Sequence, residues 1–483
     1  MVVVGAGPAG LWAGGRAAEA GHQVTIVERA SQVGGMTASI EVGGLRVDLG
    51  SHRLHSSTPP AILARLRTLL GDDLQTRPRN GRIHLAGRWL GFPLRTGDLL
   101  RNTPRSFALG AVRDAATGAF RQPRADTFAE VVRTGLGPTV ADEFYGPYVR
   151  KIWGVDPSEL SGELARRRVS ASSPADIARR LVRGSRPEGR KFLYPRRGFG
   201  QISEVLAEAA VAAGAEIRMD TEVLWLDPGT PQRPAQVRLS ANDGAESDLH
   251  VHGGLGGDGV GRDGAGPVVE ADLVWSTAPL PELARRAFPA PSAEALAAAD
   301  RLAHRGLVLV YLALGERQWT AFDAHYLPSA DQLAARLSEP RNYRDSTDDP
   351  DDVTVLCAEV PATVGDTTWT SSDADLADRL MADLARLGLP VVRPVEVRTV
   401  RLPRVYPLYR PGFEWDLTAL EWWLADHRRL VSFGRQGLFV PDNTHHALAM
   451  ADAAVDAIGP DGSFDHQAWR RSRKGFRTHV VED

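Results

Sequence analysis

The pattern of apolar and polar positions at the amino terminus predicts a βαβ unit. Residues 1–4 read Met-Val-Val-Val, and the glycine-rich segment 5–10 follows directly. Apolar residues then recur at helical spacing through residues 11–20, and a second β-branched run over 23–27 ends in Glu28. Strand, tight turn, helix and second strand in this order are typical of an α/β fold.

The glycine spacing in segment 5–10, Gly-Ala-Gly-Pro-Ala-Gly, indicates a dinucleotide-binding turn. Gly5 allows the tight turn, Gly7 lets the backbone approach a pyrophosphate, and Gly10 lets the helix pack close to the strand. The N–H groups at the start of that helix attract phosphate, and Glu28 is placed to accept from a ribose hydroxyl. The alternative is a glycine-rich turn that binds nothing.

Further along the chain, the alternation of predicted strands and helices stops near residue 75 and returns after residue 195. A Gly43-Gly44 turn predicts a hairpin over 40–48, and a helix is expected over 59–70. Between 75 and 195 we expect an arginine-rich and aromatic hairpin and then helices over 99–117, 127–135 and 139–152. The predicted elements after residue 200 are listed here: helices over 201–213, 293–302, 374–387, 416–425 and 443–458, and strands over 216–226, 235–240, 268–276, 307–314, 353–360 and 430–433.

Length and composition favour a globular protein of two or more domains. The chain has 483 residues, 43% of them hydrophobic and 24% charged, and its net charge of -3 provides no pull towards nucleic acid or membrane. Cys357 is the only cysteine, so neither an intrachain disulfide nor a cysteine metal cluster is expected, and no metal ligands are singled out. A strand at residue 1 leaves no room for a signal peptide, and no apolar run reaches the ~20 residues of a membrane span. A cytoplasmic protein is expected.

Several motifs together resemble a superfamily of flavoenzymes. They are the GxGPAG turn, the acid at the end of the second strand, the VGG segment 33–35 and a D-x-G-x-H loop over 48–52. The carboxyl-terminal part adds Gly434-Arg435, a helix starting near Thr444, and the P-R-x-Y-P-x-Y run over 403–409. This combination resembles FAD-dependent amine oxidases, protoporphyrinogen oxidases and UDP-galactopyranose mutases, and the last run resembles the mutase-like branch of bacterial oxidoreductases.

The resemblance implies an α/β fold with a discontinuous, Rossmann-like FAD-binding domain of the glutathione-reductase type and an α+β substrate cap. FAD is favoured over NAD because nicotinamide-binding proteins generally lack the VGG and D-x-G-x-H segments. We expect the FAD domain to comprise 1–75, 190–285 and 400–460, the substrate domain 76–189 and 286–399, and a tail 461–483. The residues expected to contact FAD are Gly5, Gly7, Pro8, Ala9, Gly10, Glu28, Arg29, Gly34, Gly35, Met36, Gly50, Ser51, His52, Val223, Thr277, Gly434, Arg435, Thr444, His445 and His446.

His52 and Arg53 are the residues expected at the reacting end of the flavin, because the family's D-x-G-x-H loop passes the ring. The alternative for His52 is a histidine that merely holds its loop by bonding to backbone, and for Arg435 it is a surface ion pair. Residues 166–168, Arg-Arg-Arg, are expected to be a solvated charge run. The residues expected to line the substrate pocket, for which a core role is the alternative, are Tyr148, Arg150, Trp153, Arg196, Arg404, Tyr406 and Tyr409.

The resemblance implies an oxidoreductase that transfers a hydride from a small polar substrate, sugar-like or amino-bearing, to flavin N5. Dioxygen or another acceptor would then reoxidise the cofactor, and a homodimer is possible. A redox-neutral, mutase-like sugar isomerisation on reduced FAD and a non-catalytic flavin-binding scaffold remain open. The chain departs from the amine oxidases because none of its three lysines, Lys151, Lys191 and Lys474, lies in a matching motif. Simple amine oxidation is therefore in doubt.

Overall fold

Five short strands form a parallel sheet in the computed structural model, which describes residues 1–93, 102–118, 121–169, 191–241 and 266–481. Val2 lies in register with Thr25 on one side and Val274 on the other. The strands come from three separate parts of the chain, so residues near both termini meet in one sheet. Their order across the sheet is Leu430–Ser432, Val274–Ser276, Val2–Val4, Thr25–Val27 and Glu216–Arg218.

One face of the parallel sheet is covered by three helices, Pro8–Glu19, Gln201–Ala212 and Thr444–Asp456. Gly15 lets the first two helices approach closely, because a Cβ atom there would lie 3.3 Å from the Cβ of Ala210. Trp12 is buried and its Nε1–H donates to Asp452 at 3.0 Å. This packing fixes the amino-terminal helix against the carboxyl-terminal one.

A larger mixed sheet of seven strands forms the second layer of the molecule. Its two central strands, His304–Leu314 and Thr354–Ala362, are almost wholly buried. Even-numbered residues such as Val308 face the helix Asp373–Arg386, and odd-numbered residues such as Leu309 face the hairpin at 39–48. The order of its strands is Pro394–Pro407, His304–Leu314, Thr354–Ala362, Arg336–Ser338, Ala324–Tyr326, Gly81–Leu85 and Arg88–Phe92.

Two strands expected to be continuous are each divided in two. The chain turns at Asp220, which has a positive φ of 49°, so Glu216–Arg218 stays in the parallel sheet and Val223–Asp227 joins a separate antiparallel sheet. In the same way, the expected strand 268–276 consists of Val268–Ala271 in the antiparallel sheet and Val274–Ser276 in the parallel one. The third antiparallel strand is Ala235–Leu239.

The helix expected over 139–152 is interrupted. It consists of Pro138–Val140, a π-helical turn over Ala141–Tyr145, and Gly146–Trp153. Pro147 has no N–H to donate to the preceding turn, which accounts for the irregular hydrogen bonding before it. The expected loop 241–267 falls mostly outside the described residues, as do the first residues of the helix expected over 99–117.

The remaining elements lie around these sheets. Residues 400–407 belong to a strand of the seven-stranded sheet, whereas the limits expected for the domains remain a prediction. Among the described residues, no helix has both the length and the apolar character needed to cross a membrane. The other strands are Ser39–Val42, Leu45–Asp48, Leu74–Pro78 and Lys191–Pro195, and the other α-helices are Pro60–Leu70, Arg105–Thr117, Phe128–Leu136, Gly162–Arg168, Leu280–Arg285, Ala293–Arg301, Thr367–Thr370, Phe413–Ala425, Gly434–Gly437 and His466–Phe476; single 3-10 turns lie at Gly35–Thr37, Gly71–Asp73, Pro157–Glu159 and Pro340–Tyr343.

Candidate functional site

The glycine turn after the first strand leaves an open space beside one of its three glycines. Gly5 has φ +101°, and a Cβ atom there would lie 2.4 Å from Thr277 Oγ1. A Cβ at Gly10 would lie 2.0 Å from the carbonyl oxygen of Gly5. At Gly7, by contrast, a Cβ would meet no described atom within 4 Å. Packing therefore requires Gly5 and Gly10, whereas Gly7 borders space that a ligand could fill.

The helix that starts at Pro8 presents bare N–H groups to this space. Its N-cap is Gly7, no side chain caps it, and its first turn contains no acidic residue. Unpaired N–H groups and the positive end of the helix dipole attract an anion at such a terminus. Ala9 lies in contact with Gly434, where a Cβ would be 3.2 Å from the Ala9 Cβ, so both ends of the chain border the same space.

A second glycine pair closes the other side of the turn. The backbone N–H of Gly34 donates to the Ala6 carbonyl at 2.8 Å, and Gly34 and Gly35 have φ angles of +111° and +53°. A Cβ at Gly35 would lie 3.8 Å from the Cα of Gly7. The VGG segment therefore lies against the glycine turn. A pyrophosphate bound there could be approached by the backbones of both segments.

Glu28 is fixed at the end of the second strand by the backbone around it. Its two carboxylate oxygens accept from the N–H groups of Ala6 at 2.8 Å and Ala30 at 3.0 Å. A carboxylate has further lone pairs, so it can still accept from a ribose hydroxyl. Arg29 beside it is exposed.

His52 is tied to the backbone of the adjacent loops. Its Nε2 lies 2.9 Å from the Met36 carbonyl and 3.0 Å from that of Leu49, so this nitrogen carries the proton that is donated. The ring stacks on Phe199 with centroids 5.3 Å apart. Burial lowers the pKa of His52, which keeps the ring neutral and leaves the lone pair on Nδ1. His52 therefore holds its loop by bonding to backbone, which is the alternative considered for it above.

A buried carboxylate that the sequence analysis did not single out supports the His52 loop. Glu359 Oε1 accepts from the Ser51 N–H at 2.7 Å, and both of its oxygens pair with Arg336 Nη2, at 2.7 and 2.9 Å. Ser51 Oγ also lies 2.5 Å from the Tyr343 hydroxyl. Gly50, with φ +96°, lets the loop pass over the Glu359 carboxylate, which would lie 3.5 Å from a Cβ at that position.

Arg53 is enclosed by the protein itself. Its guanidinium lies 3.1 Å from Asp323 Oδ1 and donates to the hydroxyls of Tyr326 and Tyr343, both at 3.3 Å. It also lies over the rings of Tyr343 and Phe192, at 4.8 and 5.0 Å from their centroids. With 9% of its side chain exposed, Arg53 is engaged in holding the loop against the second sheet.

Arg435 is half-buried and bonds to backbone carbonyls, so it is not the surface ion pair considered as its alternative. It donates to the carbonyls of Asp442 at 2.9 Å and Val405 at 2.8 Å, and its Nε has no hydrogen-bond partner among the described residues. Burial and the nearby Arg168 lower the pKa of Arg435 to about 10. A guanidinium with a buried, unused N–H favours the arrival of an acceptor from a ligand.

Gln436 links the strand Pro394–Pro407 to the segment that contains Met36. Its amide donates to the Arg404 carbonyl at 2.8 Å and lies 3.5 Å from the sulfur of Met36. His304 lies nearby, and burial together with the positive charges of Arg404 and Arg435 lowers its pKa to about 3. His304 is therefore neutral at physiological pH, and its position at the start of a strand gave no sequence signal.

The other expected cofactor residues lie on several different elements. Thr277 follows the parallel strand Val274–Ser276, and its Oγ1 donates to the Val4 carbonyl at 2.9 Å. Thr444, His445 and His446 form the first turn of the last long helix, and the two histidine rings lie 4.0 Å apart. Val223 opens the first strand of the antiparallel sheet.

Two of the expected substrate residues come together with an arginine that was expected in solvent. The rings of Trp153 and Tyr406 lie 6.0 Å apart, and the Arg168 guanidinium lies 5.3 Å from the first and 5.8 Å from the second. Burial raises the pKa of Tyr406 to about 12. Arg404 pairs with Glu282 at 3.0 Å. Arg167 is buried too, so the 166–168 run is not a solvated face.

Four other expected substrate residues are engaged with other partners. Tyr409 is in the core, where its hydroxyl donates to the Phe439 carbonyl at 2.8 Å and its ring stacks on Phe413. Arg150 pairs with Asp156 at the surface. Two further residues complete this set: Arg196 pairs with Asp73 and Asp348, and Tyr148 stacks on Phe144. A run of aromatic residues in sequence does not reveal which rings fill the core.

Several solved structures share this fold. Reduced UDP-galactopyranose mutase superposes with a TM-score of 0.78 over 99% of both chains at 19% identity. A putative protoporphyrinogen oxidase from Exiguobacterium sp. gives 0.68 over 95% of this chain and 98% of that one at 20% identity. Cyclohexylamine oxidase from Brevibacterium oxydans gives 0.64 over 94% and 97% at 16% identity. These likenesses confirm the α/β fold.

The sequence itself shows the family. No individual curated protein matches the chain. Residues 8–446, which begin within the glycine turn and include the His52 loop and the start of the helix Thr444–Asp456, match the family described as flavin containing amine oxidoreductase. Since this match spans most of the chain, the protein belongs to the flavin containing amine oxidoreductase family.

Proposed function

We propose that the chain is an FAD-dependent oxidoreductase acting on a small polar substrate, sugar-like or amino-bearing. The observation that carries this proposal is the open space beside Gly7, bordered by the bare N–H groups of the helix at Pro8 and by the turn at Gly35. The unpaired N–H groups at this helix terminus suit the negative charge of a pyrophosphate. When bound, FAD would supply a hydride acceptor at N5.

The residues that would hold the cofactor lie along one path. The backbone of Gly7 and Gly35 would bind the pyrophosphate, and Glu28 would accept from the ribose of the adenosine half. The unused Nε–H of Arg435 would donate to the cofactor. The helix that starts at Thr444 would direct the positive end of its dipole at the pyrimidine edge, where negative charge develops.

His52 would act as the base in this reaction. Its ring is neutral because of burial, and its Nε2–H is fixed on the carbonyls of Met36 and Leu49. Nδ1 could therefore take a proton from the substrate while the orientation of the ring is maintained. Glu359 would act as a positioning residue, since it holds the backbone of Ser51 next to this ring.

The substrate would lie against Tyr406 and Arg168, with the buried ring of Trp153 packed beside them. An aromatic face and a guanidinium suit a flat or ring-shaped polar molecule, because stacking and charge can act together. Of the residues expected for the pocket, we retain Tyr406 and Arg404 as proposed contacts of the substrate and Trp153 as a support.

The test is a spectroscopic screen of the recombinant protein. We expect a yellow protein with flavin absorbance, which a true substrate bleaches under anaerobic conditions and air restores. The panel is amino sugars, nucleotide sugars, polycyclic precursors and amines. A colourless protein that rejects added FAD under native conditions would refute the proposal at its base. A yellow protein that no member of the panel bleaches would support the scaffold reading instead.

A second candidate is a redox-neutral sugar isomerisation. It is favoured by the likeness to reduced UDP-galactopyranose mutase over 99% of both chains. The lysines also weigh against amine oxidase chemistry, because Lys151 donates to the carbonyls of Leu327 and Ala334, and Lys191 and Lys474 are exposed. Turnover that needs prior reduction by dithionite and causes no net oxidation would favour this candidate over the first.

A further inference from the structure

We propose that Asp442, His446 and His479 form a binding site for a transition-metal ion such as Zn²⁺. One ligand atom from each of these side chains lies within 4.8 Å of the other two. Asp442 precedes the last long helix, His446 lies in its first turn, and His479 comes from the carboxyl-terminal tail. His446 was also among the residues expected to contact FAD, and the metal site assigns its side chain a different partner.

The carboxylate of Asp442 is the centre of the cluster. Its Oδ2 lies 2.6 Å from His479 Nδ1 and 3.9 Å from His446 Nδ1. The two imidazole rings stack on each other with centroids 4.2 Å apart and an interplanar angle of 13°. Both imidazole Nδ1 atoms therefore lie within 3.9 Å of the same carboxylate oxygen, and that of His479 is within hydrogen-bond distance.

The other oxygen of Asp442 lies in a buried ion pair and not in a hydrogen bond. The side chain is fully buried, and its Oδ1 has no hydrogen-bond partner among the described residues. Arg167 Nη1 approaches this oxygen at 3.6 Å, beyond hydrogen-bond distance. A buried carboxylate oxygen without a partner is costly. A metal ion on Oδ2 would bring a further positive charge to this buried carboxylate, with Arg167 orienting it from the Oδ1 side.

The donor set selects the kind of metal. Two imidazole nitrogens and one carboxylate suit Zn²⁺ and its neighbours in the first transition row, whereas Mg²⁺ and Ca²⁺ prefer oxygen ligands. Around a tetrahedral zinc the donor atoms are about 3.3 Å apart, so the side chains need shifts of about 1 Å to close on the ion. The fourth position would be taken by water.

A metal ion here would fasten the tail to the rest of the protein. The tail already contacts the helix Gly162–Arg168, since the N–H of Val481 donates to the Arg167 carbonyl at 2.8 Å. His479 also packs on Phe476, with centroids 5.4 Å apart. The ion would add a bond between this tail and the first turn of the last long helix.

The test uses the full-length protein without a histidine tag and with its cofactor as purified. We measure bound zinc after dialysis and the zinc affinity by competition with a chelating dye. The variant His479→Asn keeps a donor for the Asp442 hydrogen bond and removes the strong ligand. His466→Ala, on the same tail, is the matched control, because His466 bonds to the Arg428 carbonyl away from the cluster.

We expect about one zinc per chain in the wild type and in the control. His479→Asn should bind zinc more than about 100-fold more weakly, because losing even an outer-shell partner of a metal site costs about 10–100-fold. Failure of the wild type to retain zinc, or equal affinities in wild type and His479→Asn, would overturn the proposal.

If His479→Asn fails to fold, a cobalt titration of the wild type and of His466→Ala still tests the metal site. Co²⁺ in a tetrahedral site with nitrogen ligands gives visible absorption bands at longer wavelengths than flavin. We expect these bands to grow to one equivalent in wild type and in His466→Ala and to vanish when Zn²⁺ is added. Absence of the bands in well-folded wild type would refute the site.

Discussion

Glu359 holds the backbone of Ser51 through a single hydrogen bond of 2.7 Å that joins the seven-stranded sheet to the loop of the proposed flavin site. Glu359 lies in the central strand Thr354–Ala362, and only 4% of its side chain is exposed. The position of the loop therefore depends on a charge located far along the chain. The same carboxylate neutralises Arg336, which also donates to the Ser51 carbonyl at 3.2 Å.

Glu359→Gln should destabilise the protein and loosen the loop. The substitution leaves the Arg336 guanidinium without a full counter-charge, and breaking a buried ion pair on one side costs about 3–5 kcal/mol. We expect the free energy of unfolding to fall by this order and flavin to dissociate more readily. Denaturant unfolding and the flavin content after dialysis measure the two effects.

Asp351→Asn provides the matched control for Glu359→Gln. Asp351 pairs with Arg317 at 3.0 Å, but both side chains are more than two-thirds exposed, at 87% and 71%. Removing an exposed pair costs about 0–1 kcal/mol. Equal losses of stability in the two variants would contradict the assignment of Glu359 as a buried support.

Gly7→Ala and Gly10→Ala separate cofactor binding from folding. A Cβ at Gly7 meets open space and Gly7 has a φ of -74°, so alanine fits the free protein and unfolding should change by less than about 0.5 kcal/mol. The methyl group would, however, occupy the space proposed for the pyrophosphate. We expect a folded protein with weak or no flavin binding, measured by absorbance after FAD addition.

Gly10→Ala should act on folding itself. Its Cβ would lie 2.0 Å from the Gly5 carbonyl oxygen, and this backbone atom cannot move without breaking the turn. We expect a loss of at least about 2 kcal/mol in stability with flavin absent. If Gly7→Ala instead retained wild-type affinity for FAD, the pyrophosphate would have to lie elsewhere.

The sequence was sufficient to predict features encoded by neighbouring residues. The glycine turn, the hairpin at 39–48 and the parallel strands follow from local spacing, and the α/β fold from their order. The division of the expected strand 216–226 was missed. The chain turns at Asp220, where φ is positive, and the strand-forming residues on either side give no sign of this turn. The strand Pro394–Pro407, at the edge of the seven-stranded sheet, was not predicted, because its three prolines and its many exposed or half-buried residues are untypical of a strand.

The candidate site was harder to predict where its parts come from distant segments. Glu359 and His304 lie in strands whose residues otherwise look like core. Arg168 belongs to a run of three arginines that is typical of a solvated face, yet it covers the rings of Trp153 and Tyr406. Tyr409 illustrates the opposite case, because its place beside Tyr406 in sequence gave no sign that its hydroxyl is used in the core.

His52→Gln tests the proposed base without removing the loop contact. The glutamine amide can still donate to the carbonyls of Met36 or Leu49, but it has no imidazole nitrogen to accept a proton. General base catalysis contributes about 10²–10⁴-fold, so we expect the rate of anaerobic flavin bleaching by the identified substrate to fall by this factor. Flavin content should stay near that of the wild type. A bleaching rate within about threefold of wild type would leave His52 a loop-holding role only.

His325 should make the protein sensitive to acid. The ring is 1% exposed and lies among Trp89, Trp319 and Phe322, and burial together with Arg82 lowers its pKa to about 3. Below pH 6.5 the unfolded chain binds a proton at this position that the folded protein does not bind until about pH 3. Stability is therefore unaffected above pH 6.5 and is lost progressively as the pH falls from 6.5 to 3.

The substitution His325→Phe removes the group that binds this proton, and a phenylalanine ring can pack among the same aromatic neighbours. At pH 5 the linkage corresponds to about 2 kcal/mol, since each unit of pKa difference is 1.36 kcal/mol. We therefore expect the variant to lose about 1–2 kcal/mol less stability than the wild type between pH 7.5 and pH 5, whatever its stability at pH 7.5. Denaturant unfolding at both pH values measures the difference. Equal acid losses in the two proteins would mean that His325 binds its proton as readily in the folded state as in the unfolded one.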